Sequence, residues 1–415
     1  PAWKSKQISE GDEILKVQSK KGEEPINVTG MLVDEAVRFI RGEKGTEVVL
    51  TLKKKDGTIK EVKMIREEVA IEDTFARSII INGANGKKYG FINLPSFNAD
   101  FEDAKGRNAS DDIKAELIKL KAQNVEGIIL DLRNNGGGSL TEVVDIMGLF
   151  MNSGPVVQVK DGNGRVQVMR NKQNDPIWTG PLVIMQNELS ASASEILAGA
   201  MQDYGRAVIV GSPQSFGKGT VQTFVELNRF LNTSDDFGAL KLTIQKFYRV
   251  NGKSTQLKGV ESDIPMKDVF SYEEIGERFD NYALPWDQVN SSSFTVNNSI
   301  NVAELAKNSQ SRMAQNKFYQ LLLESAQWRE KLDKEEKISL NLKEFEAVMK
   351  TRKAQIDKFK PLIKYNNGLN FALHADEVAR GKTDEVFAKK SENWMKNLKR
   401  DIYLQETVNI ISELK

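Results

Sequence analysis

Residues 127–138 read Gly127-Ile-Ile-Leu-Asp-Leu-Arg-Asn-Asn-Gly-Gly-Gly138. The unbroken apolar run at its start suits a strand buried on both faces, as in a covered sheet. The three glycines let the backbone turn sharply and turn its N–H groups toward a ligand. Helical spacing then runs from Leu140 to Met151. Working outward, Tyr89-Gly-Phe-Ile-Asn-Leu reads as a strand and Asp111 to Ala122 as an amphipathic helix. Downstream come the strand Leu182-Val-Ile-Met, a helix from Ala193 to Tyr204 and the strand Ala207-Val-Ile-Val. Such alternation predicts an α/β domain.

The flanks differ from this centre. Residues 1–70 read as a small β-rich module. Glu10-Gly-Asp12 is a turn before Ile14-Leu-Lys-Val17, and Leu32 to Arg41 has helical spacing with Val33, Val37 and Ile40 apolar. Val48-Val-Leu-Thr-Leu-Lys and Glu61-Val-Lys-Met-Ile are strands around an Asp56-Gly57 turn. Residues 276–300, with Pro285, Ser291-Ser-Ser and Asn297-Asn-Ser, read as a linker. From 301 to 415 the chain turns rich in Lys, Glu, Leu and Ala at helical spacing, which predicts a helical C-terminal domain with solvated charged faces.

Composition excludes several chemistries. The 415 residues carry a formal net charge of +1, so no global field draws the chain to nucleic acid or to a membrane surface. No apolar run approaches the roughly 20 residues of a membrane span. With no cysteine there is no disulfide, thiol nucleophile or thiolate metal site, and with one histidine a zinc or iron centre has too few ligands. That histidine, His374, lies in the polar stretch Phe371-Ala-Leu-His-Ala-Asp-Glu-Val and reads as a surface residue. Pro1-Ala-Trp-Lys4 has no initiator Met and no signal-peptide pattern, so the chain reads as a fragment whose targeting segment lies elsewhere.

Three elements carry chemistry. Ser190-Ala-Ser-Ala-Ser-Glu195 stands between a strand and a helix, where free N–H groups favour developing negative charge. Helix capping is the rival reading for each of its serines. Asn134-Asn-Gly-Gly-Gly138 suits an oxyanion hole, or simply a turn. Gly211-Ser-Pro-Gln-Ser-Phe-Gly-Lys-Gly-Thr220 fails as a phosphate-binding loop, because five residues separate Gly211 from Gly217 and Lys218 precedes Gly219. A lysine between two glycines can instead project into a cleft, or lie in a solvated turn. A serine nucleophile needs a base. A desolvated lysine can serve, although holding it neutral at pH 7 costs roughly 4–5 kcal/mol when an ordinary lysine titrates near about 10.4.

Together these stretches resemble the C-terminal processing peptidases, PDZ-containing serine proteases of the S41 family. Met201-Gln-Asp-Tyr-Gly-Arg206, Ile244-Gln-Lys-Phe-Tyr-Arg-Val-Asn-Gly252, Leu284-Pro-Trp-Asp287 and Tyr403-Leu-Gln-Glu-Thr-Val-Asn-Ile410 resemble its long tail-specific subgroup. The resemblance implies a partial PDZ domain over 1–70, a ClpP/crotonase-like α/β serine protease core over 71–275 and a helical domain over 301–415. It implies Ser192 as nucleophile, Lys218 as base and Gln222 as the residue orienting that lysine. It implies an oxyanion hole from the N–H groups of Gly138 and Ala193. Asp203, implicated in the subgroup, is expected to be structural. Val33, Val37 and Ile40 fall on the helix that walls the PDZ groove. The loop before Phe216 is one residue longer than the family pattern, with Gln214-Ser215 in place of a single residue. The first part of the PDZ domain, with its carboxylate-binding loop, and the family's N-terminal helical domain are expected to precede Pro1. The resemblance further implies protein substrates chosen by apolar C-termini, an adaptor protein as a further partner, a periplasmic location, and no metal, ATP or other cofactor. Two alternatives remain from other classes: a non-catalytic peptide-binding scaffold, and a crotonase-like acyl-CoA enzyme.

Overall fold

The computed structural model describes residues 1–20, 22–67, 74–83, 86–100, 106–229, 237–297, 299–335 and 337–414. It divides into two compact units, Pro1–Glu72 and Asp73–Lys415. The boundary expected at 70/71 lies outside the described residues.

In the first unit, β1 (Glu13–Gln18), β2 (Ile26–Asn27), β3 (Glu47–Lys53) and β4 (Ile59–Ile65) form an antiparallel sheet in the order β2-β1-β3-β4. Val17, Leu50, Leu52 and Val62 alternate inward as the pleat requires. Helix α1 (Val33–Ile40) lays Ala36, Phe39 and Ile40 on this core. The Arg66 guanidinium donates to the Ile40 carbonyl at 2.8 Å and to Thr46 Oγ1 at 2.8 Å, satisfying the free end of the helix. This unit is the small β-rich module that the sequence led us to expect.

The second unit is built on a seven-stranded sheet in the order β14-β11-β10-β7-β6-β5-β15. Its strands are β5 (Arg77–Asn82), β6 (Lys88–Asn93), β7 (Gly127–Asp131), β10 (Leu182–Gln186), β11 (Val208–Gly211), β14 (Ile264–Pro265) and β15 (Asn370–Ala372). From β6 to β14 neighbouring strands run parallel, while β5 and β15 each pair antiparallel. Ile128 and Leu130 point to one face, against α2 (Ala109–Ala122), α3 (Leu140–Phe150) and α4 (Ala193–Asp203). Ile129, Val183 and Met185 point to the other, against α5 (Val302–Gln315) and a C-terminal helix, Ile402–Glu413. A second, antiparallel sheet has the order β12-β13-β8-β9, with β8 (Gly154–Asp161), β9 (Val166–Asn171), β12 (Thr220–Glu226) and β13 (Ala239–Tyr248).

The described residues between 301 and 414 are mostly helical, as expected, with α6 (Lys317–Asp333), α7 (Leu342–Phe359), α8 (Ala375–Gly381), α9 (Glu385–Lys399) and α10 (Ile402–Glu413) following α5. They do more than flank the core. They cover one whole face of its sheet, and β15 extends the sheet by a strand. The stretch read as a linker is also fastened: Ser292 N–H donates to the Val250 carbonyl at 2.9 Å and Asn297 N–H to that of Tyr204 at 2.8 Å. His374 is a correction. It is buried, not on the surface, and its Nε2 meets Ser78 Oγ at 2.8 Å. Pairing of β15 with β5 carries it there, a long-range effect that the polar character of its neighbours in sequence conceals.

Candidate active site

Helix-to-strand alternation puts the ends of β7, β10 and β11 at one edge of the parallel sheet, where α/β folds place their ligands. The Gly-rich loop leaves β7, the serine loop leaves β10 and the lysine loop leaves β11. A cleft of about 200 Å³ gathers Gly138, Ser192, Ala193, Lys218 and Gln222, so the five residues singled out from the sequence line one cavity. A larger cleft of about 720 Å³, between α5 and the end of α10, contains none of them.

The three serines separate by their partners. Ser190 Oγ donates to the Leu132 carbonyl at 2.8 Å, and Ser194 Oγ to the Asn135 carbonyl at 2.9 Å. Both are buried. Ser192 is the one on the cleft. It caps α4 with φ 57° and ψ −111°, a region costly for a residue with a Cβ, of order 1–3 kcal/mol. The surroundings must over-determine that geometry, and Glu195 supplies the main constraint.

Glu195 is fully buried. Its Oε2 accepts from Ser192 N–H at 2.8 Å and Lys218 N–H at 3.0 Å. Its Oε1 accepts from Ser215 Oγ at 2.6 Å and Gly217 N–H at 2.7 Å. One carboxylate therefore ties the serine loop to the lysine loop. Desolvation pushes its pKa up to about 7, against the pull of these four donors. The sequence reading did not single it out. The signal was present, since Ser192 followed by Glu at the third helical position is half of a capping box. Ser215, from the lengthened stretch, serves the same carboxylate and also accepts from Val260 N–H at 2.8 Å.

Lys218 is half-buried. Its Nζ donates to Gln222 Oε1 at 3.2 Å, the pairing the resemblance implied. Desolvation first, then the charge of Lys241, holds its ammonium below the usual lysine range. Gly137 and Gly138 have φ of 107° and 145°. A Cβ on Gly138 would stand 2.3 Å from the Phe97 carbonyl oxygen, so only glycine fits. Asn135, fully buried, braces this loop. Its side chain donates to the Leu94 carbonyl at 2.8 Å and accepts from Gly137 N–H at 2.9 Å. Its own carbonyl accepts from Ala191 N–H at 3.0 Å. Among the described residues the N–H groups of Gly138 and Ala193 have no acceptor, and both residues line the cleft. Two unpaired donors beside a serine can stabilise an oxyanion.

The remaining candidates lie elsewhere. Asp203 accepts from Arg249 Nη2 at 2.6 Å and Asn251 Nδ2 at 2.7 Å, a structural clasp off the cleft. His374 is not among the cleft residues. Arg133 joins Asp131 and Asp401, each at 2.7 Å, and so fastens the Gly-rich loop to the start of α10. In the first unit Val33 is 77 % exposed and Val37 partly so, while Ile40 packs on the core.

Residues 88–266 match peptidase family S41, and residues 270–415 match the C-terminal domain of tail specific protease. Over 310 residues the chain is 41 % identical to the tail-specific protease of Haemophilus influenzae, an alignment covering 74 % of this chain and 43 % of that protein. It is 25 % identical to the photosystem II D1 C-terminal processing protease, with a TM-score of 0.41, over 64 % of this chain and 66 % of that one. It is 36 % identical to the PDZ domain of the carboxy-terminal protease from Vibrio cholerae in complex with peptide, with a TM-score of 0.16, over 17 % of this chain and 74 % of that one. The chain spans about half the length of the curated relatives it matches.

Proposed function

The chain belongs to peptidase family S41 and carries the C-terminal domain of the tail-specific proteases, and on that premise we propose that it cleaves polypeptides with a Ser192–Lys218 dyad. The observation that supports this most is the shared cleft: one serine of three that reaches it, half-buried, a lysine with a depressed pKa, and two N–H groups without an acceptor among the described residues. Neutral Lys218 takes the proton of Ser192 as its Oγ bonds to the substrate carbonyl carbon. The negative oxygen is held by Gly138 and Ala193 N–H. The C–N bond then breaks, and the Lys218 ammonium returns the proton to the leaving amine. Water, deprotonated by Lys218, releases the acyl group as a carboxylate and restores Ser192. Gln222 orients the amine, and Glu195 and Asn135 hold the loops in register.

Substrate choice by an apolar C-terminus follows from PDZ physics, in which an extended tail joins a sheet edge beside a helix. Val33, exposed on α1, and Val37, half-buried but not packed on the core cluster, suit the ligand side, with Ile40 against the core behind them. A periplasmic location and an adaptor partner complete this reading by relationship to the subgroup. No helix among the described residues is long and apolar enough to cross a membrane.

The test uses an unfolded polypeptide ending in Ala-Ala, as free acid and as amide. The chain should cleave the acid form, lose activity to a serine-directed phosphonate that labels Ser192, and show a lower kcat/KM for the amide. No cleavage and no labelling would make it a binding scaffold. Binding of coenzyme A in the same cleft would make it an acyl-CoA enzyme.

A further inference from the structure

The lysine loop runs directly into β12, and β12 with β13 forms a hairpin whose base is part of the cleft: Val221, Gln222 and Lys241 line it beside Ser192. Beyond that base the hairpin leaves the core. Opposed residues share a face, so Val225 lies with Leu240 and Thr223 with Leu242 on one side, and Phe224 with Lys241 on the other. Phe224 is 69 % exposed, Leu240 48 % and Leu242 44 %. At the root the same apolar face has a partner, since Val221 packs on the main core. Farther out, Leu240 and Leu242 stand exposed on it.

β12 is also the outermost strand of its sheet. Residues 221–225 make no backbone hydrogen bond outside the β13 ladder among the described residues. An edge strand of this kind is ordinarily blunted by lysine or proline, because it invites another strand. Thr220-Val-Gln-Thr-Phe-Val-Glu226 contains neither.

We infer that the outer edge of β12 receives the substrate main chain as an added strand and leads it to Ser192, with the apolar hairpin faces gripping alternate side chains. The inference rests on the protease reading above. Its occupant is an extended, apolar-rich polypeptide, because the edge offers main-chain hydrogen bonds at every second residue and the surface is continuous with the cleft. Such a polypeptide must be unfolded over the length of the hairpin, which makes a folded segment at that distance from the scissile bond a poor substrate.

The experiment uses the full chain and unstructured peptides of about 6 and about 16 residues, all with one scissile sequence and one C-terminus. The long peptides carry single backbone N-methyl groups at successive positions on the side of the scissile bond that makes length favourable. Strand addition predicts that N-methylation at every second position lowers kcat/KM about tenfold, roughly one to two hydrogen bonds, while the positions between are near neutral. Leu240→Thr/Leu242→Thr should raise KM for the long peptide about tenfold and leave turnover of the short one within about twofold, since about two buried apolar contacts are lost. Loss of alternation, or equal effects of the double variant on both lengths with an unchanged melting temperature, overturns the inference and leaves the protease reading standing. Absence of any cleavage and of phosphonate labelling in the unsubstituted chain overturns both.

Discussion

The loops after β10 and β11 and the hairpin that follows them are neighbours in sequence and opposites in physics. In the loops almost every polar group has a partner. Ser190, Ser194, Asn135, Ser215 and Glu195 are buried and bonded, and what faces the cleft is Ser192, the Gln222-bonded amine of Lys218 and the N–H groups of Gly138 and Ala193. In the hairpin it is apolar groups, Phe224, Leu240 and Leu242, that stand exposed. Catalytic geometry must be fixed before substrate arrives, because misplacement by an ångström can cost about a hundredfold. A surface for varied sequences must instead take its shape from main-chain bonding and unspecific apolar contact. The two regions share a backbone at residues 218–222, so the boundary between fixing and gripping falls within five residues.

The sharpest way to break this contrast is to remove what the loops leave open. Ser192→Ala should abolish proteolysis, a loss of at least about 10⁴-fold, whereas Ser190→Ala and Ser194→Ala should keep measurable activity with reduced melting temperatures, because each loses a buried hydrogen bond. Full activity in Ser192→Ala, assayed by cleavage of the free-acid substrate, would end the assignment. Lys218→Arg comes next. Arginine keeps the charge but stays protonated throughout the accessible range, so the variant should lose about 10³-fold or more and behave like Lys218→Ala. In the unsubstituted chain the rate should climb with pH until the depressed lysine pKa is passed. A rate that falls as pH rises from acid would contradict a lysine base.

Glu195→Gln tests the tie between the loops. All four partners of the carboxylate are donors, so an amide can serve only one pair and must turn its own N–H groups toward the other. A loss of about 10²-fold in kcat, with little change in KM, is expected. Stability supplies an independent reading. A glutamate raised from an ordinary value near 4.5 to about 7 binds its proton more tightly in the native state. Native stability is therefore fullest below about pH 4.5 and falls as pH rises through 7, by about 3 kcal/mol in total. Activity should rise over the same interval, because only the ionised carboxylate accepts all four bonds. Chemical denaturation from pH 5 to 8 should show this falling slope, and Glu195→Gln should flatten it. An unchanged slope in the variant would mean that Glu195 is ionised throughout.

The sequence made the central sheet legible because β7 and β10 are buried on both faces and so carry unbroken apolar runs. It also made the reactive groups legible, since a glycine run, a serine cluster and a glycine-flanked lysine each sit at a strand end. What it hid is the bracing. Glu195 looks like a helix-capping acid until the lysine loop folds onto it, and Asn135 looks like any turn residue until its side chain reaches Leu94. The C-terminal helices were legible as helices but not as one wall of the sheet. Their Lys and Glu content describes the outward faces, while Leu404, Val408 and Ile411 decide the packing.

His374 carries the smallest expected effect on catalysis and the clearest separation of structure from chemistry. Its imidazole lies against Ser78 Oγ, and that hydroxyl and the Ser78 N–H both reach Glu116 Oε2, at 2.5 and 3.1 Å. The cluster joins β5, α2 and the start of α8, with Lys119, Asp376 and Glu377 as the surrounding charges. Burial lowers the histidine pKa below its ordinary 6.5 despite the pull of Glu116. The unfolded chain therefore takes up this proton first, and the contribution of His374 to stability, complete above about pH 6.5, is lost as pH falls through the lowered value. Over pH 5 to 6.5 it opposes Glu195, whose contribution grows toward acid. His374→Ala should cost about 1–3 kcal/mol by leaving a buried polar cluster short of a partner, and should leave kcat/KM within about twofold. It should also steepen the gain in stability toward acid, because Glu195 then titrates unopposed. Denaturation midpoints of the two single variants and the double variant across this range separate the two slopes. A His374→Ala protein that is inactive yet as stable as the unsubstituted chain would bring the histidine into the chemistry and displace Lys218 from it.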